Sequence, residues 1–334
     1  MRDSFIEDAR TERTTQILTF GALLGISLLI AVPRVEALDT AFFFYLMFWI
    51  AITMSVNLIF GFTGYIPFGY FAFYGIGAYA AVLGYIHFRI PMLGGAILAG
   101  IAALVLGVIF LPMFRLDGIY FAIGTFAAAW AIRIGITLTP EDITGGATSL
   151  LIADAYAPDI AYYAMVTTTV AVVVTSVWLN RSRYGTLLRA IRDDSLAAET
   201  CGINRTKLRS GAWFLSAFFP GVLGALDVWY TTVLSPESGF NVLLSIKPIL
   251  YALFGGVGTI LGPFLGGMVM YLIDDFIWQA IPLGSYLVTG LVLMLVVLVF
   301  PRGILGEFEH WQGVFGSEDR LVSIDQLFSD RGEK

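Results

Sequence analysis

Five ionisable side chains stand inside otherwise apolar runs of this chain: Arg133, Asp227, Lys247, Asp274 and Asp275. Charge inside a membrane-length apolar run is costly, so it is kept where it pairs, handles a solute or reaches an interface. Two chemistries are open to these residues. They can snorkel to the outer interface. Alternatively they can form an outer vestibule for a zwitterion, with Arg133 or Lys247 drawing a carboxylate and Asp227 or Asp274 an ammonium. By the boundaries of the runs none falls at mid-span, which argues against a relay of buried carboxylates. Catalytic sets are missing from the sequence: it has no H-E-x-x-H and no GxxxxGK[ST], and its Ser and Asp residues are scattered. Two histidines, His87 and His310, and one cysteine, Cys201, offer no basis for a metal centre or a disulfide framework. The expectation is a non-enzyme with no catalytic residue, no metal site and no cofactor of its own.

The elements that carry these residues follow from composition. The 334 residues are 58% hydrophobic and 13% charged, with a mean hydropathy of +0.82. So few polar side chains cannot cover a soluble globule, and so much apolar content excludes disorder. The net charge of −6 gives no case for nucleic-acid binding. A transmembrane helix needs about 20 mainly apolar residues. Such runs are expected at 15–32, 41–60, 66–86, 92–113, 117–138, 159–180 and 211–233, then two shorter pieces at 244–258 and 261–276, and a last span at 284–300. The fold class is therefore all-α, a polytopic helical membrane protein. It has ten crossings, or eight if the Gly-rich pair 244–276 is partly re-entrant. The first run reads as a retained span, because acids crowd the residues before it and no small-residue cleavage site follows.

Orientation comes from the basic residues. With both termini inside, all of the 19 Lys+Arg lie on inner segments except Arg34, Arg89, Arg133 and Lys247. The expected organisation is an inner N-terminal segment 1–14, a membrane domain 15–306 and an acidic inner tail 307–334. The outer segment 139–159 holds Glu141, Asp142, Asp154 and Asp159 and no basic residue, with Gly145-Gly146 and Pro158 as turns. It is either a solvated loop or a docking surface for an extracytoplasmic partner.

The inner segment Arg181–Arg209 has seven basic and three acidic residues. Leu187, Leu188 and Ile191 give the apolar stripe of one short helix. Asp194 or Ser195 can cap a second helix, Gly202 fits its left-handed stop, and Asn204 can cap the next span. Two short helices across the inner face can anchor to anionic lipid or fit a groove on a cytoplasmic motor subunit, and the residues alone leave both open.

RAIRDDSLAAETCGI (Arg189–Ile203) resembles the cytoplasmic coupling loop of the branched-chain amino acid ABC transporter permease family, in its LivM-like subunit. NLIFGFTGYIPFGYFAFYGIGAYAAVL (Asn57–Leu83) resembles that family's first Gly-rich span, LDGIYFAIGTFA (Leu116–Ala127) a following span, and TGGATSL (Thr144–Leu150) its outer-loop motif. KPILYALFGGVGTILGPFLGG (Lys247–Gly267) and FPRGILG (Phe300–Gly306) resemble its last third. The blocks keep the family's order over Asn57–Gly306. One departure stands at Gly64–Tyr70: Pro67 occupies a position where the family pattern has serine, and Tyr70 one where it has histidine.

The resemblance implies a permease subunit of a binding-protein-dependent importer in the cell's inner (plasma) membrane. It would form half of a translocation path for branched-chain or other small amino acids, with urea or short amides as alternative substrates. Its implied partners are a homologous second permease subunit, two ATPase subunits that hold the ATP, an extracytoplasmic substrate-binding protein, and membrane lipid. The residues implied to meet the ATPases are Arg189, Arg192, Asp193, Asp194, Ala197, Ala198, Glu199 and Gly202. Those of the path are Gly64, Pro67, Gly69, Tyr70, Gly75, Gly77 and Thr125. The outer vestibule is Arg133, Asp227 and Lys247, and the binding protein would meet Glu141, Asp142, Gly145 and Gly146. By local chemistry, Gly75 and Gly77 suit close helix packing, whereas Gly61–Gly64 with Pro67 suits a broken helix. A stand-alone secondary transporter or channel is the competing class; it would need mid-depth titratable groups or inverted repeats.

Overall fold

The computed structural model describes residues 39–280 and isolated helical positions among 287–294. The expected first span, the remainder of the last, both terminal segments and hence the orientation of the termini lie outside the described residues. Helix α1 (Thr40–Thr63) starts where the Asp39 carboxylate accepts from the Ala41 amide at 2.9 Å, and it ends at Gly64, whose φ of 76° needs a residue without Cβ. An irregular stretch leads to α2 (Phe71–Phe88) and α3 (Met92–Phe110), which tightens into a 3-10 turn at Leu111–Arg115. Helix α4 (Ile119–Leu138), the short α5 (Glu141–Thr144), β1 (Leu150–Leu151) and a 3-10 turn at Ala153–Ala155 precede α6 (Pro158–Arg181). Helices α7 (Arg183–Asp193) and α8 (Ser195–Thr200) form an elbow before α9 (Arg205–Thr231). Strand β2 (Val233–Leu234), α10 (Pro236–Gly239), α11 (Leu243–Gly255) and α12 (Leu261–Ala280) complete the described chain.

Eight described segments are long and apolar enough to cross a membrane, with α10 and α11 together making one of them. The protein is a multi-pass membrane protein. Alone, the 13 residues of α11 reach about 20 Å, against a hydrocarbon core of about 30 Å. The crossing is therefore completed by α10 and the turn that joins it to α11.

Helix α1 is the axis of the bundle, buried along nearly all its length and packed on α6, α9, α11 and α12. A second layer of α2, α3 and α9 is drawn together by small residues. A Cβ on Gly77 would stand 2.3 Å from the Gly221 carbonyl oxygen, and one on Gly224 2.3 Å from that of Tyr74. Helix α2 runs unbroken through Gly75 and Gly77. Helix α4 packs on the bundle through one narrow stripe, Phe121, Ala122, Thr125 and Ala129, and leaves Ile119, Ile123, Ile134 and Leu138 exposed.

The break between α1 and α2 places an irregular segment inside the bundle. The Tyr70 hydroxyl donates to the Ser216 carbonyl at 2.6 Å and shares a hydrogen bond with Ser55 Oγ at 2.8 Å. Ser55 lies eight residues before the end of α1, so the Tyr70 hydroxyl sits about 12 Å above that end. There the first amide of α2, at Phe71, donates to Ser245 Oγ in the first turn of α11 at 2.8 Å. Two helix starts therefore meet at depth, where a side-chain oxygen satisfies backbone that lipid could not.

The face carrying the elbow is here called the loop face. On the far face β1 and β2 pair antiparallel, Leu150 with Leu234 and Leu151 with Val233. The Trp229 indole N–H donates to the Ala155 carbonyl at 2.8 Å, and the Tyr85 hydroxyl to Asp154 at 3.3 Å. The segment 139–159 is thereby fastened across the far ends of α2 and α9.

Candidate functional site

The elbow on the loop face is built from local rules. The Ser182 hydroxyl accepts from the Gly185 amide at 3.1 Å and starts α7. The turn into it is tight enough that a Cβ on Gly185 would lie 1.9 Å from the Leu179 carbonyl oxygen. Asp194 ends α7 and caps α8, accepting from the amides of Leu196 and Ala197 at 2.9 and 3.0 Å. Gly202, at φ 80°, closes α8, and Asn204 caps α9 by accepting from the Lys207 amide at 3.0 Å. Leu188 and Ile191 face the bundle, as does Ala198. Leu187 and Leu196 point outward, 37% and 70% exposed, so the apolar stripe read over Leu187, Leu188 and Ile191 divides between two faces. Arg205 closes the elbow with an ion pair to Glu199 at 3.1 Å.

Two arginines root α7 in the core helix. Arg189 donates to the Asn180 carbonyl at 2.7 Å and lies 5.7 Å from the Phe62 ring centroid. Arg192 donates to the Gly61 carbonyl at 2.6 Å. That oxygen belongs to the last turn of α1, where carbonyls have no intrahelical donor and the helix dipole favours a cation. A third element meets the same point. The Asn57 side chain of α1 donates to the Thr259 carbonyl and accepts from the Gly258 amide, both at 2.9 Å, clamping the α11–α12 turn. Gly258 stands at φ 87°, and a Cβ there would be 2.4 Å from Arg192 Nη1. One guanidinium thus touches the elbow, the end of α1 and the α11–α12 turn.

Beside it, Tyr65 links the turn after α1 to α4 and α9. Its hydroxyl donates to Asp117 at 2.7 Å and accepts from Arg209 at 3.0 Å, with the Arg209 guanidinium 4.4 Å from the ring centroid. Burial, then the hydrogen bond to Asp117, pushes the Tyr65 phenol up to about 12. An open cavity of about 440 Å³ lies between elbow and bundle, lined among others by Gly64, Tyr65, Asp117, Arg192, Arg205 and Arg209. Asn57, Tyr65, Asp117 and Arg209 escape a reading of the sequence for site residues. A polar Asn57 in an apolar run and a lone acid between two spans are the signals that point to them.

The structure brings together the elbow residues Arg189, Arg192, Asp193, Asp194, Ala197, Ala198, Glu199 and Gly202 on one short stretch of the loop face. Of the path residues, Gly64 lies at the loop-face cavity, while Gly69 meets Thr125 and the Tyr70 hydroxyl meets Ser55 and Ser216, all of them buried. A Cβ on Gly69 would be 2.2 Å from the Thr125 carbonyl oxygen. Pro67 precedes this meeting in the irregular segment, and its carbonyl accepts from the Tyr70 amide at 3.2 Å. Gly75 abuts Phe240 and Gly239, and Gly77 abuts Gly221. The three vestibule residues have different partners. Arg133 lies 4.8 Å over the Trp130 ring of its own helix, and Asp227 accepts from the Tyr74 hydroxyl. Lys247 pairs with Asp274 at 2.5 Å and lies against the Trp49 ring, and the Tyr251 hydroxyl donates to the same carboxylate. Both partners of that ion pair are largely buried, so Lys247 is tied inside the bundle instead of snorkelling. On the far face, Glu141 and Asp142 are exposed on α5, which Gly145 ends at φ 78°, with Gly146 next at φ 55°.

Residues 40–298 match the model of a family described as the permease component of branched-chain amino acid transport systems. The chain is 25% identical over 291 residues to the high-affinity branched-chain amino acid transport system permease protein LivM of Salmonella typhimurium, covering 78% of this chain and 68% of that one. It is 30% identical over 146 residues to LivH of Escherichia coli, covering 43% and 46%. A probable LivH of Methanocaldococcus jannaschii is 30% identical over 136 residues, covering 38% and 42%. No solved structure matches.

Proposed function

The chain belongs to the branched-chain amino acid transport permease family, and from that premise we propose that it is one membrane-spanning half of a binding-protein-dependent ABC importer for branched-chain or other small amino acids. Similarity to proteins named LivM and LivH supports a pairing with a homologous second permease subunit. In this reading the loop face lies in the cytoplasm of a cell whose inner membrane holds the complex. Two ATPase subunits, which carry the ATP, receive the elbow. A substrate-binding protein docks at 139–159 around Glu141 and Asp142.

The observation that carries the reading is the rooting of an outward-facing elbow in the core helix through Arg192 and the Gly61 carbonyl. Leu196 and Ala197 face away from the bundle, as a docking surface requires, while Leu188, Ile191 and Ala198 hold the elbow to it. When ATP draws the ATPases together, the elbow moves. Arg192 passes the displacement to α1 and the α11–α12 turn, and Tyr65 with Arg209 passes it to α9. These elements reach Tyr70, Ser245 and Thr125 at depth, where the starts of α2 and α11 meet. Bistable packed elements of this kind are what coupling arguments require.

The test is uptake of labelled leucine into proteoliposomes, with urea and a non-branched amino acid as competitors. Uptake that needs ATPases and ATP, and that is lost when Arg189–Glu199 is replaced by a neutral linker, is the expected result. One observation favours a second reading, a stand-alone transporter: charged and carboxylic groups at Lys247, Asp274 and Asp227 lie inside the bundle. Uptake by the chain alone, indifferent to ATP, would establish that reading and remove the first.

A further inference from the structure

The cavity behind the elbow brings basic and acidic side chains from two different elements together around one space. Arg205 and Arg209 of α9 line one side, and Asp193 and Asp194 of the elbow line the other. Several of these groups have unused hydrogen-bonding capacity. Arg209 is 6% exposed and its Nε–H has no acceptor. Arg205 gives only Nε to Glu199. Asp194 uses one carboxylate oxygen for the α8 cap, and Asp193 makes no side-chain hydrogen bond among the described residues. Thr63 and Gly64 also line it, and the space of about 440 Å³ is large enough for a small solute with water.

We propose that this cavity is a regulatory site for a small zwitterion of the α-amino-acid class, entering from the loop face. The carboxylate lies against Arg205 and Arg209, the ammonium against Asp193 and Asp194. The acids and bases belong to different elements, so the bound molecule ties the elbow to α9 and holds it still. A ligand acts on an equilibrium only through such a difference between states, and here the held state has both ends of the zwitterion paired. The inference rests on the permease reading for its consequence, which is restraint of import by solute already delivered. Its binding half stands on the cavity alone.

Two measurements separate these. The first is binding of labelled L-leucine to the purified full chain. Arg205→Gln and Asp193→Asn should each weaken it about tenfold or more, the effect of one lost charge-assisted hydrogen bond. 4-Methylpentanoate, which lacks the ammonium, and 3-methylbutylamine, which lacks the carboxylate, should compete about tenfold worse than leucine. Competition by 4-methylpentanoate equal to that of leucine would make this a plain anion site and overturn the proposal, as would binding unchanged in both variants. The second is the initial rate of ATP-driven uptake into vesicles whose lumen bears the ATPases and ATP, with and without luminal L-leucine. Luminal leucine should slow wild type and leave Arg205→Gln much less affected. Uptake that is ATP-driven yet indifferent to luminal leucine overturns the regulation and leaves the permease reading standing. No ATP-driven uptake in empty vesicles overturns the permease reading instead.

Discussion

The guanidinium of Arg192, at the end of α7, donates to the carbonyl of Gly61, in the last turn of α1, across 2.6 Å. It serves as a C-terminal cap delivered from 131 residues away in sequence. Arg192→Ala leaves that carbonyl without its charged donor, at a cost of about 1.5–3 kcal/mol. In the assembled importer we expect ATP hydrolysis to persist while uptake falls at least tenfold. Parallel losses of both activities would mean that Arg192 holds the fold and does not transmit.

The α11–α12 turn depends on Asn57. Asn57→Leu keeps the volume but abandons the Gly258 amide and the Thr259 carbonyl, both bonded at 2.9 Å. A loss of about 1–3 kcal/mol for each unpaired buried group is expected, read as a lowered melting temperature in detergent. A melting temperature equal to wild type would show that water replaces the clamp.

Two glycine substitutions should differ in sign. Gly77→Ala puts a methyl 2.3 Å from the Gly221 backbone, which cannot yield as a side-chain tip would, and should cost about 1–3 kcal/mol. Gly135→Ala meets nothing within 4 Å on an exposed stretch of α4 and should gain up to about 1 kcal/mol. Comparison of the two melting curves decides whether α2 and α9 are as tightly apposed as described.

The Lys247–Asp274 pair should show strong coupling. Removing one partner, as in Lys247→Met, leaves a buried carboxylate and should cost about 3–5 kcal/mol. The double variant Lys247→Met with Asp274→Leu should recover most of that loss, because a matched apolar pair has no charge left to desolvate. Additive losses in the double-mutant cycle would show that the two residues act independently.

Tyr65 gives a pH signature. Its phenol is pushed up to about 12 from an ordinary value of 10.0, so the folded protein holds the proton more tightly than the unfolded chain. The resulting stabilisation is complete below about pH 10 and is lost as pH rises through about 12. The difference in melting temperature between wild type and Tyr65→Phe should therefore be flat to pH 10 and then shrink. A difference that grows above pH 10 would reverse the assignment.

What could be read from the sequence was what is local. The runs at 92–113, 117–138 and 159–180 start and stop within a few residues of α3 with its 3-10 turn, α4 and α6, since each was bounded by Pro, Gly or charge. The caps of the elbow at Asp194, Gly202 and Asn204 were readable because a cap is settled by residues two or three positions away. Arg192 with Gly61, Asn57 with Gly258, and Tyr65 with Asp117 and Arg209 were not readable. Each joins residues dozens to hundreds of positions apart, and no periodicity encodes which glycine carbonyl an arginine will meet. Lys247 illustrates the same limit. Near the edge of an apolar run it reads as a snorkelling base or a vestibule charge, and only the fold of α11 against α12 puts Asp274 within reach.

Helix α9 runs from the loop face to the far face. Its 27 residues extend about 40 Å. At one end Arg205 holds the elbow and Arg209 holds Tyr65; at the other Trp229 and the strand that follows hold the 139–159 segment. A load placed on the far-face ribbon and a load placed on the elbow therefore bear on a single strut from opposite ends. Between them the backbone has one interior proline, Pro220, beside the closest contacts with α2 and α3. Bending stiffness at that position sets how much of a push at one surface arrives at the other.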